Sequence, residues 1–102
     1  MTYLLLFLAG AFLCNGIPHL AAGLRGEPFP TPFAKPPGKG LSPPLVNFVW
    51  GSANLFGGFV LAVWRLATVH SIVGLALMAL GWLAIGIYLA IHFGKVRAGR
   101  VG

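Results

Sequence analysis

The chain has almost no acid. Glu27 is the sole carboxylate side chain in 102 residues, and there is no aspartate. Paired-carboxylate chemistry is therefore excluded within one chain. So is a Ser-His-Asp triad, which needs an orienting carboxylate. The single cysteine, Cys14, excludes an intrachain disulfide and any Cys-x-x-Cys metal or redox motif. Charge of either sign is scarce, at 8% of residues against about 25% in an average soluble domain. Such a chain cannot cover a globular surface with charge. With the usual acid–base set missing, no enzymatic activity is expected.

What is present is apolar. Hydrophobic residues make up 58% of the chain and the mean hydropathy is +0.89. Three stretches, 4–24, 45–64 and 72–93, contain no Asp, Glu, Lys or Arg. A bilayer core about 30 Å thick needs about 20 helical residues at 1.5 Å each, so each stretch is long enough to span it. None alternates polar with apolar as a barrel strand would. The sequence predicts an all-α, polytopic membrane protein: one domain over 1–102, a bundle of three transmembrane helices. The first stretch has no basic n-region and no Ala-x-Ala site, so it reads as a retained span rather than a signal peptide.

The formal charge of +6 does not point to nucleic acid. The basic residues lie between or after the apolar stretches and form no dense face, which is how topology-setting charges are placed. Arg25, Lys35, Lys39, Lys95, Arg97 and Arg100 share one side of the bundle, and Arg65 is alone on the other. The positive-inside rule then puts the N-terminus outside and the C-terminus in the cytoplasm.

The segment 25–44 holds seven of the eight prolines. Proline fixes φ and removes a donor, so neither helix nor central strand is expected there. Polyproline-II and turns are the expected conformations, lying on the membrane with Phe29 and Phe33 at headgroup level beside Lys35 and Lys39. Such a segment is either a stiff spacer or a docking element for a partner. The short link 65–71 has neither Gly nor Pro. It predicts that spans two and three form an antiparallel hairpin, with Thr68 or Ser71 capping the third helix.

Polar residues inside a span are costly, so their positions carry information. Counting from the cytoplasmic ends, Asn15 and Asn54 have equal depth. His19, Trp50 and Tyr88 share a second level, and Asn47 and His92 lie nearer the cytoplasm. Asn15 and His19 are four residues apart on one helix face. Between them Gly16 and Pro18 predict a kink, and Pro18 strips the Cys14 carbonyl of its usual donor. Asn54 is expected to meet Asn15 or that carbonyl, and His19 to bond an indole or phenol. The stripes Asn47, Gly51, Asn54, Gly58, Ala62, Arg65 and Ser71, Gly74, Met78, Gly81, Ile85, Tyr88, His92 predict close helix packing. His70 is expected on the outer side, away from His19 and His92. Two histidines without a spacing motif do not make a haem or metal site, so no cofactor is expected.

The segments Asn15-Gly16-Ile17-Pro18-His19, Pro32-Phe33-Ala34-Lys35-Pro36 and Leu45-Val46-Asn47-Phe48-Val49-Trp50-Gly51 resemble those of small bacterial inner-membrane proteins with no assigned activity. The resemblance covers residues 15–58 and implies an inner-membrane location without adding a functional role. The expected function is an accessory or structural subunit of a membrane assembly. The alternative is a homo-oligomeric channel or transporter for a small solute. Partners are the lipid bilayer and other membrane chains or copies of this one.

Overall fold

A computed structural model describes residues 1–68 and 71–101; His70 lies outside the described residues. Three helices dominate: α1 (Thr2–Leu24), α2 (Pro44–Leu66) and α3 (Ile72–Val101). Each is long and apolar enough to cross a membrane. The molecule measures 47 × 24 × 20 Å. Its long dimension matches the roughly 45 Å of a 30-residue helix such as α3.

Local chemistry explains the boundaries. Pro44 occupies the first turn of α2, where its fixed φ suits the helix and its missing N–H has no partner to lose. Ser71 caps α3 by accepting the Gly74 N–H at 3.3 Å. Thr68, the other candidate cap, donates instead to the Arg65 carbonyl. α1 continues through Gly16 and Pro18 as one helix. α3 does not stop at Phe93 but runs on through Lys95, Arg97 and Arg100. No proline interrupts this basic segment, and cations favour a helix C-terminus.

Helix order in space departs from the expectation for the 65–71 link. α2 and α3 are joined by that short link, yet both pack on α1 and they scarcely touch each other. Two small faces of α1 make this possible. Gly16 meets α2, where a Cβ would come within 2.7 Å of the Gly51 carbonyl oxygen. Gly10 packs on the Met78 backbone of α3, and Gly81 packs reciprocally on the Phe7 backbone. Positions 10 and 16 are separated by roughly 240° around a helix of 100° per residue. On α2, Asn47, Gly51, Asn54, Gly58 and Ala62 are buried, and the stripe ends at half-buried Arg65. On α3, Gly74 and Gly81 are buried, whereas Tyr88 is exposed.

The proline-rich connection forms a short two-stranded hairpin. Residues Phe29–Pro30 (β1) pair antiparallel with Leu41–Ser42 (β2), Phe29 opposite Ser42 and Pro30 opposite Leu41. Two residues per strand is all the prolines permit. The buried Thr31 and Ser42 hydroxyls close the base of this hairpin at 2.6 Å. Its turn is tied by the Gly38 and Ala34 N–H groups donating to the Thr31 carbonyl. Gly38 has φ +74°, a backbone region that glycine enters without steric cost.

Candidate functional site

The site lies where the hairpin meets the helix ends, and Asn47 is its centre. Asn47 is fully buried. Its Nδ2 donates to the carbonyls of Phe29 (3.0 Å), Ser42 (3.1 Å) and Pro43 (3.3 Å). Three carbonyls around one atom can be met only by the amide NH2, which fixes the side-chain orientation. The Oδ1 therefore faces His19, whose Nδ1 lies 2.8 Å away. An amide oxygen only accepts, so Nδ1 carries the proton. One side chain thus fastens both hairpin strands to α2 and couples them to α1.

His19 is 2% exposed. Its ring meets Phe29 edge-on at 5.4 Å, Phe93 at 6.2 Å and Trp50 at 6.5 Å. Its hydrogen-bond partner is the Asn47 amide rather than an indole or phenol. The reason is face rather than depth: Asn47 belongs to the α2 stripe turned to α1, and half-buried Trp50 flanks it. Among the described residues, the Trp50 Nε1 is buried without a hydrogen-bond partner. Tyr88 stacks on His92 at 5.7 Å and stays on the open side of α3.

Asn15 and Asn54 form a second, separate pair. Asn15 Nδ2 donates to Asn54 Oδ1 at 3.0 Å, and Asn54 Nδ2 returns to the Trp50 carbonyl of its own helix at 2.8 Å. The amide thus satisfies Trp50, not the Cys14 carbonyl freed by Pro18.

α3 holds the hairpin from the other side. His92 Nε2 lies 2.7 Å from the Gly38 carbonyl and, facing a pure acceptor, donates to it. Arg100 donates to the Lys39 carbonyl. Phe29, expected at headgroup level, instead turns inward and packs on Phe93 at 4.7 Å. Phe33 remains exposed and touches Trp50 edge-on at 5.0 Å. A cavity of about 200 Å³ lies under the hairpin, bordered by Asn15, His19, Trp50, Tyr88 and His92. The residues singled out in the sequence thus resolve into an amide pair between α1 and α2 and a network clamping the hairpin.

Outside the apolar stretches, Arg25 and Glu27 form an exposed ion pair at 3.1 Å. The Arg25 guanidinium holds the Glu27 carboxyl below its ordinary value, by hydrogen bond and by charge. Among the described residues, no three His, Cys, Asp or Glu side chains come close enough to hold a metal ion. Sequence reasoning missed the clamping role of Asn47 and the seating of the hairpin. Thr31 and Ser42, two hydroxyls set among prolines, were the available signal. No family model matches the chain, and neither does any curated protein or solved structure.

Proposed function

We propose that the chain is a small multi-pass membrane protein of the bacterial inner membrane that serves as an accessory or structural subunit, presenting its proline-rich hairpin as a rigid docking element. The observation that carries this reading is the Asn47 clamp. A spacer has no use for a fully buried amide holding three of its flanking carbonyls. Rigidity lowers the ordering cost that a flexible loop meets on binding. The hairpin keeps Phe33 exposed, an aromatic on a fixed platform. Outward-facing residues such as Phe56, Phe59, Val60, Leu83 and Ile87 suit lipid contact. The six-to-one Lys/Arg distribution favours a cytoplasmic hairpin and C-terminus. With one carboxylate in the chain, we read it as non-enzymatic.

The cavity under the hairpin favours a second reading, a homo-oligomeric channel or transporter for a small solute. Against this, the amides that would line such a path bond to one another within the chain. Purification from native membranes separates the two. Recovery with a stoichiometric partner supports the subunit, and loss of that partner in Phe33→Ala with normal chain abundance would assign docking to the hairpin. A homogeneous homo-oligomer that passes solute in liposomes would replace this reading with the channel.

A further inference from the structure

We propose that the groove between the hairpin and the last turns of α3 binds the headgroup of an anionic phospholipid. This rests on the membrane reading above. The groove has a volume of about 660 Å³, with Arg25, Arg97 and Arg100 on its walls and Phe29, Leu41 and Phe93 among its apolar lining. A neighbouring hollow of about 510 Å³ shares Arg100 and adds Lys39 and Lys95. Five of the seven basic residues of the chain therefore converge on one pair of grooves.

The height of the groove selects the ligand. The uncharged stretch of α3 ends at Phe93, which lines the groove, and Lys95, Arg97 and Arg100 follow within two turns. In a bilayer this is the level of the phosphates. Guanidinium groups recognise phosphate oxygens by paired, charge-assisted hydrogen bonds, and basic pockets at helix ends are suited to anionic headgroups. Free phosphate would leave the aromatic lining uncovered, whereas a phospholipid sets its glycerol and upper acyl carbons against it.

The three arginines differ in what already holds them. Arg25 is paired with Glu27, and Arg100 is oriented by the Lys39 carbonyl. Among the described residues Arg97 has neither hydrogen bond nor ion pair, so it has donors free for a phosphate. Glu27 lines the same groove and opposes an anion there. Lys35 is exposed and lines neither groove, which makes it a control of equal charge.

The test is native mass spectrometry of the purified full-length chain in detergent, titrated with phosphatidylglycerol or phosphatidylcholine of the same acyl composition. Wild type is expected to retain phosphatidylglycerol at least about tenfold better. Arg97→Gln should weaken that retention about fivefold, while Lys35→Gln changes it less than about twofold. Glu27→Gln should strengthen it. Equal retention of the two lipids overturns the proposal. So does an equal loss in Lys35→Gln and Arg97→Gln, which would mean diffuse surface attraction. Complete displacement of the lipid by millimolar inorganic phosphate would reassign the groove to free anions and overturn it too. Alkaline carbonate extraction of the chain from native membranes is run alongside. Carbonate-resistant protein without lipid selectivity overturns the lipid site alone, and carbonate-extractable protein overturns the membrane reading and the site together.

Discussion

His19 and Asn47, 28 residues apart, share a 2.8 Å hydrogen bond whose direction is set by neither of them but by the three hairpin carbonyls on the far side of the amide. The carbonyls claim Nδ2, the oxygen is left for the imidazole, and the imidazole proton is thereby assigned to Nδ1. The backbone of the hairpin thus dictates the chemistry of a side chain on another helix.

Asn47→Asp tests that direction. A carboxylate has the volume of the amide but offers only acceptors to three carbonyls. Asp and Leu at position 47 should both destabilise the chain by about 2–4 kcal/mol, from buried carbonyls left unpaired. Unfolding in detergent, followed by helical circular dichroism, measures this. A near-native Asn47→Asp would mean that the amide does not hold the hairpin.

The pairing of Asn15 with Asn54 is separate from that network, and its removal should be milder. Asn54→Leu is expected to weaken the contact of α1 with α2 by about 0.6–2 kcal/mol. In a double-mutant cycle with Asn15→Leu, the second substitution should add little to the first. Additive losses would show that the two amides act independently.

Glycines at different positions should respond with opposite sign. A Cβ on Gly51 would lie 2.9 Å from the Gly16 carbonyl oxygen, and one on Gly57 meets nothing within 4 Å. Gly51→Ala should cost about 1–3 kcal/mol by forcing α1 and α2 apart. Gly57→Ala should be stabilising by about 0.4–1 kcal/mol, since it reduces the freedom of the unfolded chain. Thermal denaturation of the two variants side by side provides the comparison, and equal shifts would contradict the helix contact.

Acid should act on the Arg25–Glu27 pair in a defined direction. The Glu27 carboxyl is depressed by Arg25, so its contribution is present above the ordinary carboxylate range and fades as pH falls through the lowered value. Both groups are exposed, and solvent screens the pair. Glu27→Gln should leave the melting temperature at neutral pH unchanged and abolish only the small part of the acid transition that belongs to this group. A large neutral-pH loss would reveal a structural role for the carboxylate.

Much of the helix packing was legible in residue spacing. Asn47, Gly51, Asn54, Gly58 and Ala62 are buried along one face of α2, and equal depth brings Asn15 to Asn54. Depth failed for His19 because it does not say which face of α2 looks at α1. Connectivity failed for α2 and α3 because a short link fixes direction, not adjacency. The small residues on two sides of α1, Gly10 and Gly16, held the missing information. In the hairpin, proline content argued against helix and central strand and said nothing about a two-residue pairing. Their register depends on Thr31, Ser42 and a partner amide that lies in the following helix.

The α3 contacts to the hairpin have a consequence for the order of events during synthesis. His92 and Arg100 bond to carbonyls that precede them by 54 and 61 residues. At about 5–20 residues per second, ribosomes need roughly 3–12 s to cover the longer interval. Through that time the nascent hairpin can be fastened by Asn47 but not yet by α3. Its second latch arrives with the final turns of the chain, so ending α3 at Ile91, before His92, would leave an otherwise inserted protein with its hairpin fixed at one edge.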